Sequence, residues 1–278
     1  MVRKAMRCMP LMAAVVATAC VTSPTGRRQL SLVSEDAAIG ASQEAYVAQL
    51  TELRREGKVV DDSRVTGRVD QITERLVAQA IAKRPETADW QWSVVVIEDP
   101  DQVNAWCMAG GRMAVYTGLL ERLDPTDDEL AQVLAHEISH ALANHTAERM
   151  SVALATSAGV ALAGAVAEDN PEGAQNAAAA AAQLAIQLPN SRSAESEADE
   201  IGIELAARAG YDPNAAVRLW QKMEQAAGSG PPQFLSTHPS PANRQEKLAA
   251  LAPQMMAYYN QARGDAPSHP VASAVAAR

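Results

Sequence analysis

The sequence predicts an α+β domain, mainly helical, with a small three-stranded sheet and one central helix that carries the chemistry. Three observations predict it. Apolar residues recur at helical spacing through most of the chain. One β-branched run, "SVVVI", and two short apolar segments joined by Gly110 and Gly111 break that rhythm. The stretch from Thr126 combines a helix-start signal, an amphipathic stripe and three of the five histidines.

The elements follow in order. Residues 35–60 and 63–84 read as two polar-faced helices; in the second, Val65, Val69, Ile72, Leu76, Val77 and Ala80 fall on one face. "DWQWSVVVIED" is a buried strand, and "NAWCMA" and "RMAVYTG" form a hairpin about the Gly110-Gly111 turn. Next comes "DPTDDELAQVLAHEISHALANHTAERM". Thr126 and Glu129 make a capping box, acidic residues fill the first turn, and Leu130, Val133, Leu134, Ile138 and Leu142 mark the buried face. Residues 151–188 are Ala-rich, broken by "EDNPEG". Each arm is under 20 residues, and the second contains Gln175, Asn176, Gln183 and Gln187, so a soluble helical hairpin fits better than two membrane helices. Further helices cover about 193–209, the segment after "YDPN", and about 241–259; residues 261–278 read as a disordered tail.

Composition narrows the class of function. At 278 residues the chain holds one sizeable domain, here residues 35–260. Hydrophobic residues are 47% but aromatic ones only 4%, so the core is built from Ala, Val and Leu. The net charge is −9 and no basic, aromatic-interleaved patch occurs, which argues against nucleic acid as a partner. "MVRKAMR" followed by "MPLMAAVVATA" reads as a signal peptide over residues 1–19. "VATAC" resembles a bacterial lipobox with Ala17 where leucine is usual, which makes Cys20 a candidate lipidation site and residues 20–34 a polar tether. Ordinary cleavage near Ala19 is the competing reading. With Cys8 lost and Cys20 acylated, Cys107 has no disulfide partner, and it reads as a buried bystander.

The histidines carry the chemistry. Residues four apart on a helix lie about 40° apart around its axis, so His136 and His140 point the same way. Two imidazoles so placed can hold one ion, and Glu137 beside them can reach a water at the metal without being a ligand. His145 falls about 140° past His140, so one straight helix cannot bring it to the same site; it reads as a surface or second-shell residue. A third ligand is needed. The best candidate is Glu195 in "SRSAESEADEIG", with Asp199 one turn on to orient a ligand histidine. An ordinary solvated acidic face is the plainer alternative.

These motifs, together with "TGRRQLSLVSE" and "NAWCMAGGRMAVYTGLL", resemble peptidase family M48, the gluzincins that include HtpX heat-shock proteases and CAAX prenyl proteases. The likeness is greatest to small bacterial periplasmic and lipoprotein members and covers most of residues 24–250. "CMAGG" departs from the family where proline is common before the glycines, and long Leu-rich spans of the integral-membrane branches are missing. The resemblance implies a zincin-type metallopeptidase domain with one zinc ion per chain on His136, His140 and Glu195, Glu137 as general base and Asp199 behind a ligand. Unfolded or extended polypeptides are the expected substrates, laid along the strand that contains Asn104 and Ala105. The expected setting is the periplasmic face of the envelope, at the outer membrane, through the lipid on Cys20. A zinc-stabilised chaperone or assembly factor without proteolysis is the alternative. The resemblance also places "STHPSPANR" beside the cleft. There His238 either donates to a developing oxyanion or fills the metal's fourth position, with Gly228 and Gly230 as hinges, and Arg244 stabilises the same charge or grips substrate.

Overall fold

The computed structural model describes residues 20–164, 190–226, 233–239 and 243–273. The signal-like segment, the second arm of the Ala-rich stretch and the glycines at 228 and 230 lie outside them. The chain divides into two units, Met1–Ala38 with Thr146–Leu188 and Ile39–His145 with Pro189–Arg278.

In the first unit, the stretch expected as a tether is a hairpin of β1 (Cys20–Thr22) and β2 (Arg28–Leu30), antiparallel with Cys20 opposite Leu30. It is held by side chains of α5 (His145–Gly164). Arg27 makes a two-pronged ion pair with Glu148 at 2.8 and 2.7 Å. The Ser151 hydroxyl accepts from the Leu32 and Val33 amides at 3.0 and 2.9 Å.

The second unit is built on a sheet of order β4-β5-β3-β6. Strand β3 (Ser93–Ile97) runs parallel to β5 (Arg112–Tyr116), and β4 (Ala105–Met108) is antiparallel to β5. The β4–β5 connection needs glycine: Gly110 and Gly111 have φ of +87° and +84°, and a Cβ at Gly111 would strike the Trp92 ring at 2.6 Å. The sheet has four strands rather than three, because Ala272–Ser273 (β6) pairs parallel with Ser93 and Val94. The rest of that β3 edge is covered by Val59 and Val60, the latter donating to the Val96 carbonyl at 3.0 Å. Alternation along β3 decides what covers each face. Val94 and Val96 join Val69, Ile72 and Leu76 of α2 (Ser63–Lys83), whereas Val95 and Ile97 join Tyr46 and Leu50 of α1 (Glu35–Arg55). Helix α1 stops at Arg55, short of residue 60, and Gly57 follows at φ +69°.

A short helix after β5, α3 (Thr117–Arg122), was not expected, being too brief for a periodic signal. Then α4 (Asp127–Leu142) passes through the core, packed against β4, α2 and α6 (Arg192–Arg208). Helices α7 (Ala215–Ala226), α8 (Gln233–Thr237) and α9 (Arg244–Ala262) complete the unit. No helix among the described residues is long and apolar enough to cross a membrane.

Candidate metal centre

The capping box sets where α4 begins. Thr126 accepts from the Glu129 amide at 3.3 Å, and its own amide donates to Glu129 Oε2 at 2.8 Å. Lys222 of α7 adds an ion pair to Glu129 at 2.7 Å. The helix is buried from Glu129 to Leu142, so its polar residues point into protein and must find partners there. His136 and His140 do so together, their Nε2 atoms 3.0 Å apart.

Helix α6 brings the acids. Its N-cap is Ser191, whose hydroxyl accepts from the Ala194 amide at 3.1 Å. It crosses α4 with Gly202 against the backbone of His136. This close approach carries Glu195, with no exposed surface, to 3.4 Å from both His136 Nε2 and His140 Nε2. Asp199 Oδ1 lies 3.1 Å from His136 Nδ1, on the far side of that ring from the cluster.

The fourth corner is His238. Its Nδ1 lies 3.1 Å from Glu195 Oε1 and 3.4 Å from His136 Nε2. The ring stacks on Phe234 at 4.3 Å, and the Phe234 amide donates to the Val103 carbonyl, which ties α8 to the start of β4. His136, His140, Glu195 and His238 offer ligand atoms all within 4.8 Å of one another, and all four are buried. Zinc bonds of about 2.0–2.1 Å in a tetrahedron set ligand atoms about 3.3 Å apart. The five separations above, which draw on both Glu195 oxygens, run from 3.0 to 3.4 Å, and one donor atom per residue keeps the whole set within 4.8 Å. Three imidazoles and a carboxylate at that spacing fit a zinc ion.

The charges agree. Burial works against an ionised Glu195, but hydrogen bonds from His136 and His140 outweigh it and hold the carboxyl well below the usual carboxylate range. Burial keeps His140 well below an ordinary imidazole, hence neutral and able to ligate. Burial opposes a proton on His136 too, yet the Asp199 and Glu195 carboxylates prevail and push it up to about 9.

Residues 63–252 match the model of peptidase family M48, about two thirds of the chain. The chain belongs to that family. M48 metallopeptidases are zinc-dependent, and the M48 domain here includes every residue of the buried cluster. Among curated relatives, the mitochondrial metalloendopeptidase OMA1 of Schizosaccharomyces pombe is 33% identical over 232 residues, 83% of this chain and 65% of that one. The Homo sapiens OMA1 is 32% identical over 85% of this chain and 46% of its own length. The beta-barrel assembly-enhancing protease of Yersinia pestis is 32% identical over 76% of this chain and 43% of its own. The chain therefore spans less than two thirds of each of these relatives.

The M48 site holds other residues named from the sequence. Glu137 is buried on α4, with Oε1 3.5 Å from His238 Nε2. Arg244 is buried at the start of α9 and faces the acids rather than open space. It donates to Glu195 Oε2 at 3.1 Å and Asp199 Oδ1 at 2.5 Å, and its guanidinium lies 3.7 Å over the Trp220 ring. Asn104 and Ala105 are buried at the head of β4. The Tyr116 amide donates to the Asn104 carbonyl, so Ala105 and Cys107 turn their backbone groups toward the strand's other edge. The Ala105 amide donates to the Asn104 side chain at 3.0 Å. Burial, and then the Glu137 charge, push the Cys107 thiol well up, so it is neutral and inert. Cys20 opens β1, outside this cluster.

The sequence left His145 either at the surface or behind a ligand, and it lies behind one: only 1% is exposed, and its Nδ1 lies 2.7 Å from His140 Nδ1. The 140° argument assumed a straight helix through Met150. Instead α4 ends at Leu142, Asn144 takes φ +56°, and a new helix starts at His145, swinging that ring back to His140. Its other nitrogen meets Glu197, which is buried, so this part of α6 is not a solvated acidic face. Asn144 was the available signal, since asparagine tolerates the left-handed region that breaks a helix.

Proposed function

We propose that this chain is a zinc-dependent metalloendopeptidase of the bacterial envelope that cleaves unfolded or misassembled envelope proteins. One observation supports it above the rest: four buried donors at zinc spacing with the Glu137 carboxylate beside them, inside an M48 domain. A bound zinc ion would supply Lewis-acid polarisation of the scissile carbonyl and acidify a neighbouring water. Glu137 takes that water's proton as its oxygen adds to the carbonyl carbon, then delivers the proton to the amine that leaves. Substrate lies extended along β4, where the Ala105 carbonyl and the Cys107 backbone groups face the outer edge and require little of its sequence.

His238 is best read as a plug. Its Nδ1 stands among the ligand atoms and its Nε2 faces Glu137, so it covers the metal's fourth position and the base together. Movement of α8 would open both, and His238→Ala should raise hydrolysis; a fall would favour the oxyanion-donor role. Arg244 holds Glu195 and Asp199 in place from the Trp220 face.

The setting rests on the signal-like N-terminus and on the bacterial relatives named for β-barrel assembly. A lipid on Cys20 would anchor the chain to the outer membrane's periplasmic face, since Val21 supplies no inner-membrane retention aspartate. Loss of labelled palmitate incorporation in Cys20→Ala tests that. Casein hydrolysis by purified protein, abolished by a chelator and restored by zinc, tests the enzyme. Suppression of client aggregation without cleavage would instead support the chaperone reading.

A further inference from the structure

We infer that His145 and Glu197 form a positioning pair behind His140, fixing its tautomer and ring orientation for the metal. The inference rests on the reading that the buried cluster holds zinc. Each ligand histidine must present the Nε2 lone pair to the ion, which leaves its proton on Nδ1. For His136 that proton has Asp199 at 3.1 Å, the carboxylate partner that ligand histidines commonly have. Among the described residues no carboxylate is paired with His140 Nδ1; its neighbour there is His145 Nδ1, at 2.7 Å.

One placement of protons satisfies the chain of contacts. His140 Nδ1–H donates to His145 Nδ1, so His145 carries its own proton on Nε2, which donates to Glu197 Oε2 at 3.1 Å. The opposite placement would put a proton on His140 Nε2, where the metal needs a lone pair. Geometry explains why a relay is required. Glu195 and Asp199 are one turn apart and share a face of α6, but Glu197 lies about 200° round from Glu195. It cannot reach a ligand ring directly, and His145, delivered by the break at Asn144, spans the gap. Helix α6 thus supplies one ligand, the outer partner of His136 and the carboxylate at the end of the His140–His145 relay. His145 and Glu197 are each buried, so holding an ionised carboxylate there is costly unless it is hydrogen-bonded.

The test is zinc affinity of the full protein, by competition with a chromogenic chelator, with the spectrum of the cobalt(II)-substituted form. His145→Phe keeps a ring and removes both nitrogens; His145→Asn returns an acceptor near the Nδ1 position; Glu197→Gln keeps shape without charge. We expect about 10- to 100-fold weaker zinc binding and a shifted cobalt spectrum for His145→Phe. His145→Asn should recover most of the affinity, and Glu197→Gln should fall between. Should His145→Phe not fold, the other two variants carry the comparison. Affinities and cobalt spectra equal to the parent in the folded variants would overturn the pair while leaving the metal site standing. A parent protein that binds no zinc would overturn both.

Discussion

The two helices that build the metal site touch at Gly202, and an alanine there should pry them apart. An added Cβ would lie 3.1 Å from the Cα and N of His136 and 3.3 Å from the carbonyl carbon of Ala135. Ordinary contacts between such atoms are about 3.5–4.0 Å. All three neighbours are backbone atoms inside a buried helix and cannot rotate away, so α4 and α6 must separate by about 0.4 Å. Overpacking of this kind costs about 1–3 kcal/mol. Alanine in place of glycine in a helix interior returns about 1 kcal/mol. The net loss is therefore about 0–2 kcal/mol, a fall in Tm of up to about 8 °C for a domain of this size. The metal should feel more than the fold. Glu195 rides on α6 while His136 and His140 ride on α4, so the 3.4 Å separations between them open directly. Functional groups must be held within about 0.5 Å, and we expect zinc affinity to drop about tenfold or more. Thermal unfolding of the metal-free protein and a chelator competition measure the two effects separately. A variant stabilised by about 1 kcal/mol that binds zinc as the parent does would refute the backbone contact.

Two predictions concern the start of α4. Thr126→Ala removes one half of the capping box and should cost about 1 kcal/mol in chemical denaturation, with no change in zinc affinity. Lys222→Met should give a deficit that depends on pH. Burial raises Glu129, but the Lys222 hydrogen bond and the Thr126 amide more than reverse this, leaving its folded pKa depressed. A depressed carboxyl contributes stability above its unfolded value of about 4.3 and loses it as pH falls through the folded one. The gap between parent and variant should therefore be present at pH 7 and narrow below about pH 4.3; a gap independent of pH would contradict the ion pair's part.

Much of this site was legible because local signals agreed. Thr126 and Glu129 fixed the start of α4 and helical geometry aligned His136 with His140, although the Leu130–Leu142 stripe suggested one buried face where the helix is buried on all sides from Glu129 on. Glu195 and Asp199 could be paired by the same four-residue spacing. What sequence periodicity could not carry was a change of direction. Spacing alone left His145 open between the surface and a place behind a ligand; one residue in the left-handed region at Asn144 decides it, setting His145 at the back of His140, where it also meets Glu197. The strand at Ala272–Ser273 was invisible for another reason. Two residues have no period, and what places them is the open edge of Ser93–Val94.

The central claim is that Glu137 moves protons and does not hold metal. Its sharpest test is Glu137→Ala, measured for bound zinc and for casein cleavage beside His136→Ala. The account predicts that Glu137→Ala keeps about one zinc per chain and loses hydrolysis by at least about 100-fold, while His136→Ala loses both. A Glu137→Ala protein that still cleaves casein when zinc-replete would contradict it.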